Sequence, residues 1–278
     1  MPEQSSQTVV CVTGVHRSGT SMLAHLLFRC GVELGKNSDM MPAKPDNVDG
    51  FWENLRFVTI NDGILTESAG GWDLPPKRPL ERDRVDNHLQ HLVDDAKMLI
   101  SEFQGFKVWG WKDPRNCLTL PFWFNLLPEL TIVLIVRHPA EVALSLTARN
   151  GVSRMFGLNL WRTYYETIFR NLSGHRAIIT RYDAFFDDPV REAERILDFL
   201  GLPTTDAACA RQIVSNEARH HRQSRQDSLS DLPIEISELY RSLITEEILA
   251  SQKKIADPIS AAATTDPAAE WSMQTRRC

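Results

Sequence analysis

Four short apolar segments rich in β-branched residues alternate with longer segments whose apolar positions recur at helical spacing. Apolar runs of roughly four to eight residues that are bounded by turn residues are typical of buried strands. The segment TIVLIV has a continuous apolar run, as expected for a central strand covered on both faces. The pattern therefore predicts strands over residues 8–15, 106–111, 131–136 and 176–181.

The segments between these strands carry apolar residues three and four positions apart, which predicts helices. Two stretches rich in Pro and Asp, 35–54 and 70–86, are predicted to be loops. Strands that alternate with helices favour an α/β fold with a parallel sheet and helices on both of its faces. The predicted helices are 20–30, 55–66, 87–104, 140–149, 157–172, a segment that follows Pro189 and ends at Leu200, and 234–254.

Composition and charge narrow the classes of protein open to this chain of 278 residues. Its 31 basic and 36 acidic residues give a net charge of −5, which argues against a general nucleic-acid binder. No apolar stretch approaches the ~20 residues of a membrane helix. The N-terminal residues MPEQSSQT lack the basic and apolar regions of a signal peptide. We therefore expect a cytoplasmic protein without a transmembrane segment.

The cysteines and the C-terminal composition complete this outline. No two of the five cysteines have the CxxC spacing, and several lie inside apolar runs, so we expect reduced core thiols and no metal site. Residues 1–257 are expected to form one α/β domain, and the small, polar residues of 258–278 a disordered tail. The cysteines are Cys11, Cys30, Cys117, Cys209 and Cys278.

The loop GVHRSGTS follows the first predicted strand and precedes the first predicted helix. Its spacing matches the phosphate-binding pattern GxxxxGK[ST], with Gly14 and Gly19 as the glycines. Thr20 occupies the position of the lysine that would reach the β- and γ-phosphates of a nucleoside triphosphate. Backbone N–H groups at the helix start can still hold an anion, and Arg17 places a cation inside the loop.

These residues resemble the PAPS-dependent sulfotransferase superfamily, where PAPS is 3′-phosphoadenosine 5′-phosphosulfate. Residues 16–21, HRSGTS, are similar to its 5′-phosphosulfate loop in the GxHRSGTS form of bacterial members. Residues 136–145, VRHPAEVALS, are similar to its 3′-phosphate motif. Weaker similarities at DGFWEN (49–54), WGWKDPR (109–115), TRYD (180–183) and FLGLP (199–203) extend the resemblance over residues 8–225.

The resemblance implies a P-loop-type parallel sheet and transfer of a sulfuryl group from PAPS to an acceptor hydroxyl, with no metal required. In that case Arg17 stabilises the leaving 5′-phosphate, and Lys112 is a second cation for the phosphosulfate. Arg137, at a strand end, and Ser145, about two turns into the next helix, bind the 3′-phosphate. The remaining implied donor-binding residues are Gly14, Ser18, Gly19, Thr20 and Ser21 in the loop, and Arg219 and Arg222 in a late basic segment that lacks the family's glycine.

Sulfuryl transfer also needs a general base for the acceptor proton. The candidates are Glu53, Asp113 and His16. Glu53 follows an aromatic pair in a loop and is ranked first. Asp113, beside Lys112, has the alternative role of a structural ion-pair partner, and His16 the alternative role of shaping the loop.

Two other functions fit parts of the pattern. A P-loop kinase or nucleoside triphosphatase would use the glycine loop, although the loop lysine is missing. A non-catalytic relative would keep the fold and lose the chemistry. The acceptor is expected to be a hydroxylated compound, with a sugar, glycan or glycolipid favoured by the bacterial resemblance, while the oligomeric state is not readable from the sequence.

Overall fold

The computed structural model describes residues 7–43, 50–81, 89–214 and 229–245. Four parallel strands form one sheet in the order β2-β1-β3-β4. Val10 of β1 pairs with Gly110 of β2 on one side and with Thr131 of β3 on the other. The strands are β1 (Thr8–Thr13), β2 (Val108–Lys112), β3 (Thr131–Val136) and β4 (Ala177–Arg181).

Helices connect and cover the strands, so the predicted α/β fold with a parallel sheet is confirmed. Each of the four predicted strands is present, with ends that differ by no more than two residues. The helices are α1 (Thr20–Arg29), α2 (Leu55–Glu67), α3 (Gln90–Ser101), α4 (Asn116–Leu126), α5 (Pro139–Asn150), α6 (Arg154–Leu172), α7 (Ala184–Asp187), α8 (Pro189–Leu200), α9 (Ala210–Ile213) and α10 (Ile234–Leu243).

The core divides along the two faces of the sheet because successive side chains of a strand point to opposite faces. Ile132 and Leu134 of β3 belong to a large cluster with the buried faces of α2 to α6. Val133 and Ile135 belong to a second cluster with α1 and α8. The helices therefore lie on both faces, and β3 is buried along its whole length.

Helix α4 was not predicted from the sequence. It carries Pro121 inside the helix and apolar residues on every side, so it lacks the amphipathic periodicity that indicates a surface helix. Its nine residues from Asn116 to Phe124 are all buried, because α4 lies inside the larger cluster. A helix that is apolar all round is a core helix, and periodicity does not reveal it.

Two predicted helix bounds differ from the structure, one at the start of α6 and one at the end of α3. Helix α6 begins at Arg154 rather than residue 157, because the Ser153 hydroxyl accepts a hydrogen bond from the Phe156 N–H at 3.2 Å and caps the helix. Helix α3 ends at Ser101 rather than residue 104, and its predicted start at residue 87 lies outside the described residues.

Other predictions fall on residues that the structure does not describe. The C-terminal part of the predicted helix 234–254 and the predicted tail 258–278 lie outside the described residues, and the domain boundary at 257 stays a prediction. Within the described ranges, no helix combines the length and the apolar character needed to cross a membrane.

Gly110 is required where β2 lies against β1. A Cβ at this position would lie 2.0 Å from the carbonyl oxygen of Val10, an atom that the sheet holds in place. We expect Gly110→Ala to lower the free energy of unfolding by about 3 kcal/mol, because backbone atoms must shift.

The matched control is Gly105→Ala, since a Cβ at Gly105 meets no atom within 4 Å. Urea unfolding of both variants tests the expectation, and the control should stay within about 0.5 kcal/mol of the wild type. Equal effects of the two substitutions would contradict the close approach of β1 and β2.

Candidate donor site at the strand ends

The candidate site lies where the chain changes direction across the sheet. From β1 the chain continues to β2 on one side, and from β3 to β4 on the other. Helix α1 follows β1 on one face, and α5 follows β3 on the opposite face. In open α/β sheets, ligands bind in the crevice beyond the carboxyl ends of strands at such a position.

The glycine loop passes between backbone and side-chain atoms that leave no space for a Cβ. A Cβ at Gly14 would lie 2.4 Å from the Ile135 carbonyl oxygen, and one at Gly19 would lie 2.4 Å from the Tyr182 ring. Gly19 is also left-handed, with φ 101°, and is the N-cap of α1 without a side-chain cap. The first N–H groups of α1 have no helical partner, so this helix start suits an anion.

Arg17 joins the glycine loop to the second predicted phosphate motif. Its Nε donates to Ser145 Oγ at 2.9 Å, and its carbonyl oxygen accepts from Arg137 Nη1 at 3.1 Å. The backbone of Arg17 is left-handed, with φ 70°, which is rare for a residue with a side chain and is frequent at functional sites. The structure thus brings together three residues that the sequence separates by up to 128 positions.

Arg137 is held in place at the end of β3 with part of its guanidinium uncommitted. Its Nε donates to Glu141 Oε2 at 2.8 Å, and its guanidinium lies 4.3 Å from the centre of the Tyr182 ring. Arg137 is 8% exposed, and its Nη2 has no hydrogen-bond partner among the described residues. A buried donor without an acceptor is costly, so this geometry fits an anionic ligand group that the nitrogen would contact.

Lys112, at the end of β2, forms a buried ion pair with Glu53, which lies in the segment before α2. Lys112 Nζ lies 2.5 Å from Glu53 Oε1, and it also donates to Phe51 O at 2.9 Å and to Ser21 Oγ at 3.2 Å. Its side chain is 2% exposed, so it is not a surface lysine. Trp52, directly before Glu53, is left-handed with φ 60°.

Burial shifts the pKa of both residues of this pair. It raises the pKa of Glu53 above its ordinary value, against the opposing effect of Lys112. It lowers the pKa of Lys112, against the opposing effect of Glu53. Glu53 Oε2 is buried and has no hydrogen-bond partner among the described residues. A carboxylate of raised basicity with one uncommitted oxygen suits a proton acceptor.

Asp113 is occupied by structural hydrogen bonds. Its Oδ1 accepts from the N–H of Arg115 at 2.9 Å and from Arg115 Nη1 at 3.1 Å. Its Oδ2 accepts from Asn61 Nδ2 at 2.9 Å. Asp113 is fully buried, so it fixes the turn from β2 into α4.

His16 is buried in the loop between aromatic rings and cations. Its ring centre lies 4.7 Å from that of Trp72 and 6.0 Å from that of Tyr164. Burial lowers the pKa of His16 well below 6.5, and the charges of Arg115, Arg149, Lys112 and Arg17 lower it further. The imidazole is therefore neutral near neutral pH, and its Nε2 has no hydrogen-bond partner within the described part of the chain.

Several residues of the site were not found by sequence reasoning. Trp72 lies in the predicted loop 70–86, yet its carbonyl oxygen accepts from the Tyr164 hydroxyl at 2.6 Å and its ring lies beside His16. Asn61 and Tyr182 hold Asp113 and Arg137, respectively. No spacing in the sequence marks these residues, because the contacts join distant segments.

The remaining predicted residues are placed as follows. Ser18 is fully buried and its N–H donates to Val15 O at 3.1 Å, while Thr20 begins α1. Ser21 Oγ donates to Phe51 O at 3.1 Å. Arg219 and Arg222 lie outside the described residues, so their predicted role stays a prediction. Within the described ranges, no group of three or more His, Cys, Asp or Glu could hold a metal ion.

Comparison with known proteins identifies the family. The sequence matches the sulfotransferase family over residues 10–206, and the chain therefore belongs to the sulfotransferase family. A search of curated proteins found no match.

Solved structures of bacterial sulfotransferases are similar at low sequence identity. STF9 from Mycobacterium avium has a TM-score of 0.49 and 15% identity, covering 85% of this chain and 76% of its own. STF1 from Mycobacterium tuberculosis H37Rv has a TM-score of 0.45 and 18% identity, covering 87% of this chain and 79% of its own. A sulfotransferase from Alicyclobacillus acidocaldarius has a TM-score of 0.44 and 14% identity, covering 72% of this chain and 83% of its own.

The lowered pKa of His16 makes stability depend on pH. Below pH 6.5 the unfolded chain binds a proton on His16 that the folded protein does not bind. The free energy of unfolding should therefore fall as the pH decreases, by up to about 1.4 kcal/mol per pH unit from this residue. In His16→Gln this contribution is absent, so the slope below pH 6.5 should be shallower.

Urea unfolding between pH 7 and about pH 5 measures these slopes. His91→Gln is the matched control, because His91 is exposed on α3. The control should follow the wild type. Parallel pH dependence in His16→Gln and the wild type would contradict the buried, neutral imidazole.

Proposed function

We propose that the protein transfers a sulfuryl group from PAPS to the hydroxyl of an acceptor. The observation that carries this proposal is the junction of Arg17, Ser145 and Arg137. At this junction the start of α1, whose first N–H groups have no helical partner, lies next to Arg137 at the strand ends, which supports two neighbouring anion positions. PAPS carries anionic groups at both its 5′ and 3′ positions, so it matches a site with two such positions.

In this proposal the glycine loop binds the 5′-phosphosulfate. The N–H groups at the start of α1 and the Thr20 hydroxyl donate to its oxygens, and Ser21 joins them when its hydroxyl turns away from the Phe51 carbonyl oxygen. Arg137 Nη2 and the Ser145 hydroxyl donate to the 3′-phosphate, and Arg137 supplies the planar donor set that suits a phosphate. Arg17 lies between the two groups and contacts the bridging oxygen of the leaving phosphate.

The transfer step forms one S–O bond and breaks another. Glu53 Oε2 takes the proton of the acceptor hydroxyl as its oxygen bonds to sulfur. The bond from sulfur to the 5′-phosphate oxygen breaks, and Arg17 stabilises the charge that develops on that oxygen. Lys112 neutralises Glu53 before the reaction and stabilises the sulfuryl oxygens during it.

Glu53 is preferred over the other two candidate bases on the contacts of each group. Both oxygens of Asp113 already accept hydrogen bonds from Asn61 or Arg115. Burial, together with the charges of four nearby cations, lowers the pKa of His16, which makes it a weak proton acceptor. Burial makes Glu53 a stronger base than an exposed carboxylate.

The acceptor is proposed to be a sugar or glycan hydroxyl. Aromatic rings could stack on a sugar, but four of the tryptophans, Trp109, Trp111, Trp123 and Trp161, are at most 1% exposed and fill the core. Trp52 and Trp72 are half-buried; the Trp72 ring lies beside His16, and the Trp52 ring stacks on His25 at 4.5 Å. Incubation with labelled PAPS and a panel of glycans, glycolipids and small alcohols identifies the acceptor.

The role of Arg17 gives a kinetic prediction. Arg17→Ala should lower kcat by a factor of about 100, because the charge on the leaving phosphate loses its partner. Arg154→Ala is the matched control, since Arg154 is exposed at the start of α6. Labelled sulfuryl transfer from PAPS measures both variants. Near-normal turnover in Arg17→Ala would show that Arg17 is not the catalytic cation.

A further inference from the structure

Two cysteines from distant parts of the chain lie side by side away from the donor site. Cys30 directly follows the last residue of α1, and Cys209 directly precedes α9. Their Sγ atoms are 3.9 Å apart, although 179 residues separate them in sequence. A disulfide needs an S–S distance of about 2.05 Å, so the two sulfurs must approach each other by about 1.9 Å to form a bond.

The backbone on both sides holds this pair in place. The Cys30 N–H donates to the carbonyl oxygens of Leu26 and Leu27 at 3.0 and 3.1 Å. The Cys209 N–H donates to the Asp206 carbonyl oxygen at 3.0 Å. The surrounding side chains belong to the smaller core cluster, which packs α1 against the segment 207–213. The thiols are therefore neighbours because of the fold.

The two thiols differ in their exposure to solvent. Cys30 is 7% exposed, whereas Cys209 is half-buried. Burial and the neighbouring Cys209 raise the pKa of Cys30 to about 12. An oxidant from solvent therefore reaches Cys209 first. By contrast, Cys11 and Cys117 are fully buried, and Cys117 Sγ lies 3.4 Å from the hydroxyl of Thr13.

We propose that Cys30 and Cys209 form an oxidation site, in which a small disulfide such as oxidised glutathione converts the two thiols into an intramolecular disulfide. The Cys209 thiolate attacks one sulfur of oxidised glutathione, and the first glutathione leaves as a thiolate. Cys30 then loses its proton to solvent and attacks Cys209 Sγ, which releases the second glutathione. Two protein thiols are oxidised and one glutathione disulfide is reduced to two thiols.

The second step is favoured by position. Burial, the main cause of the raised pKa of Cys30, persists when Cys209 carries glutathione, while the smaller effect of the Cys209 thiolate is removed. The attacking and attacked sulfurs are already neighbours, which makes the reaction effectively unimolecular. The bond ties the end of α1, the helix that begins at the glycine loop, to the segment that contains α9.

Peptide mapping of the full-length wild-type protein tests the proposal. The reduced protein is incubated with oxidised glutathione, its remaining thiols are alkylated, and it is digested with trypsin. Cleavage after Arg and Lys places Cys30 in the peptide 30–36 and Cys209 in the peptide 196–211, each with one cysteine. We expect these two peptides to be linked by a disulfide after oxidation and to be separate after reduction.

Three outcomes would overturn the proposal. The first is recovery of both peptides separately alkylated, and the second is a glutathione adduct on Cys209 that never gives the linked peptide. The third is a link from Cys30 or Cys209 to another cysteine. None of these results bears on sulfuryl transfer, so the proposal is tested independently of the function.

Thermal unfolding provides a second readout. The link closes a long loop, so oxidation should raise Tm by about 5 °C. The shift should be absent in Cys209→Ser and kept in Cys278→Ser, which retains both thiols of the pair. A shift that persists in Cys209→Ser would mean that another reaction causes it.

Discussion

The hydrogen bonds around Arg17 are the interaction on which the site depends. Arg17 lies in the left-handed region, a conformation that costs energy for a residue with a side chain. Its side chain is held by Ser145 on α5, and its carbonyl oxygen by Arg137 at the end of β3. These contacts fix the glycine loop of one strand to the motif that follows the adjacent strand. The loop and the arginine thus form one site because β1 and β3 are neighbours in the sheet.

The other neighbour of β1, strand β2, supplies the second part of the candidate site. Lys112 ends β2 and pairs with Glu53, which the chain brings from a loop before α2. Burial pushes both groups towards their neutral forms, and their mutual attraction opposes this effect. The pair lies beside Ser21, so the proposed proton acceptor is next to the proposed anion position. A sulfotransferase needs these two positions together.

Sequence patterns predicted the sheet well because its strands are short, apolar and bounded by turn residues. They also selected Arg17, Arg137 and Ser145, since each stands in a motif with a fixed spacing. They did not predict α4, whose residues are apolar on all sides. They did not decide whether Glu53 or Asp113 is the better candidate base either. That choice depends on the hydrogen bond to Asp113 from Asn61, which lies in α2, far from Asp113 in sequence.

The most direct test of the donor assignment is a calorimetric titration of the wild type and Arg137→Ala with two ligands. These are 3′-phosphoadenosine 5′-phosphate and adenosine 5′-phosphosulfate, which lacks the 3′-phosphate. The account predicts metal-independent binding by the wild type, and a loss of about tenfold or more in Arg137→Ala for the first ligand alone. Equal losses for both ligands, or tighter binding of ATP with magnesium by the wild type, would contradict a site built for a donor with both groups.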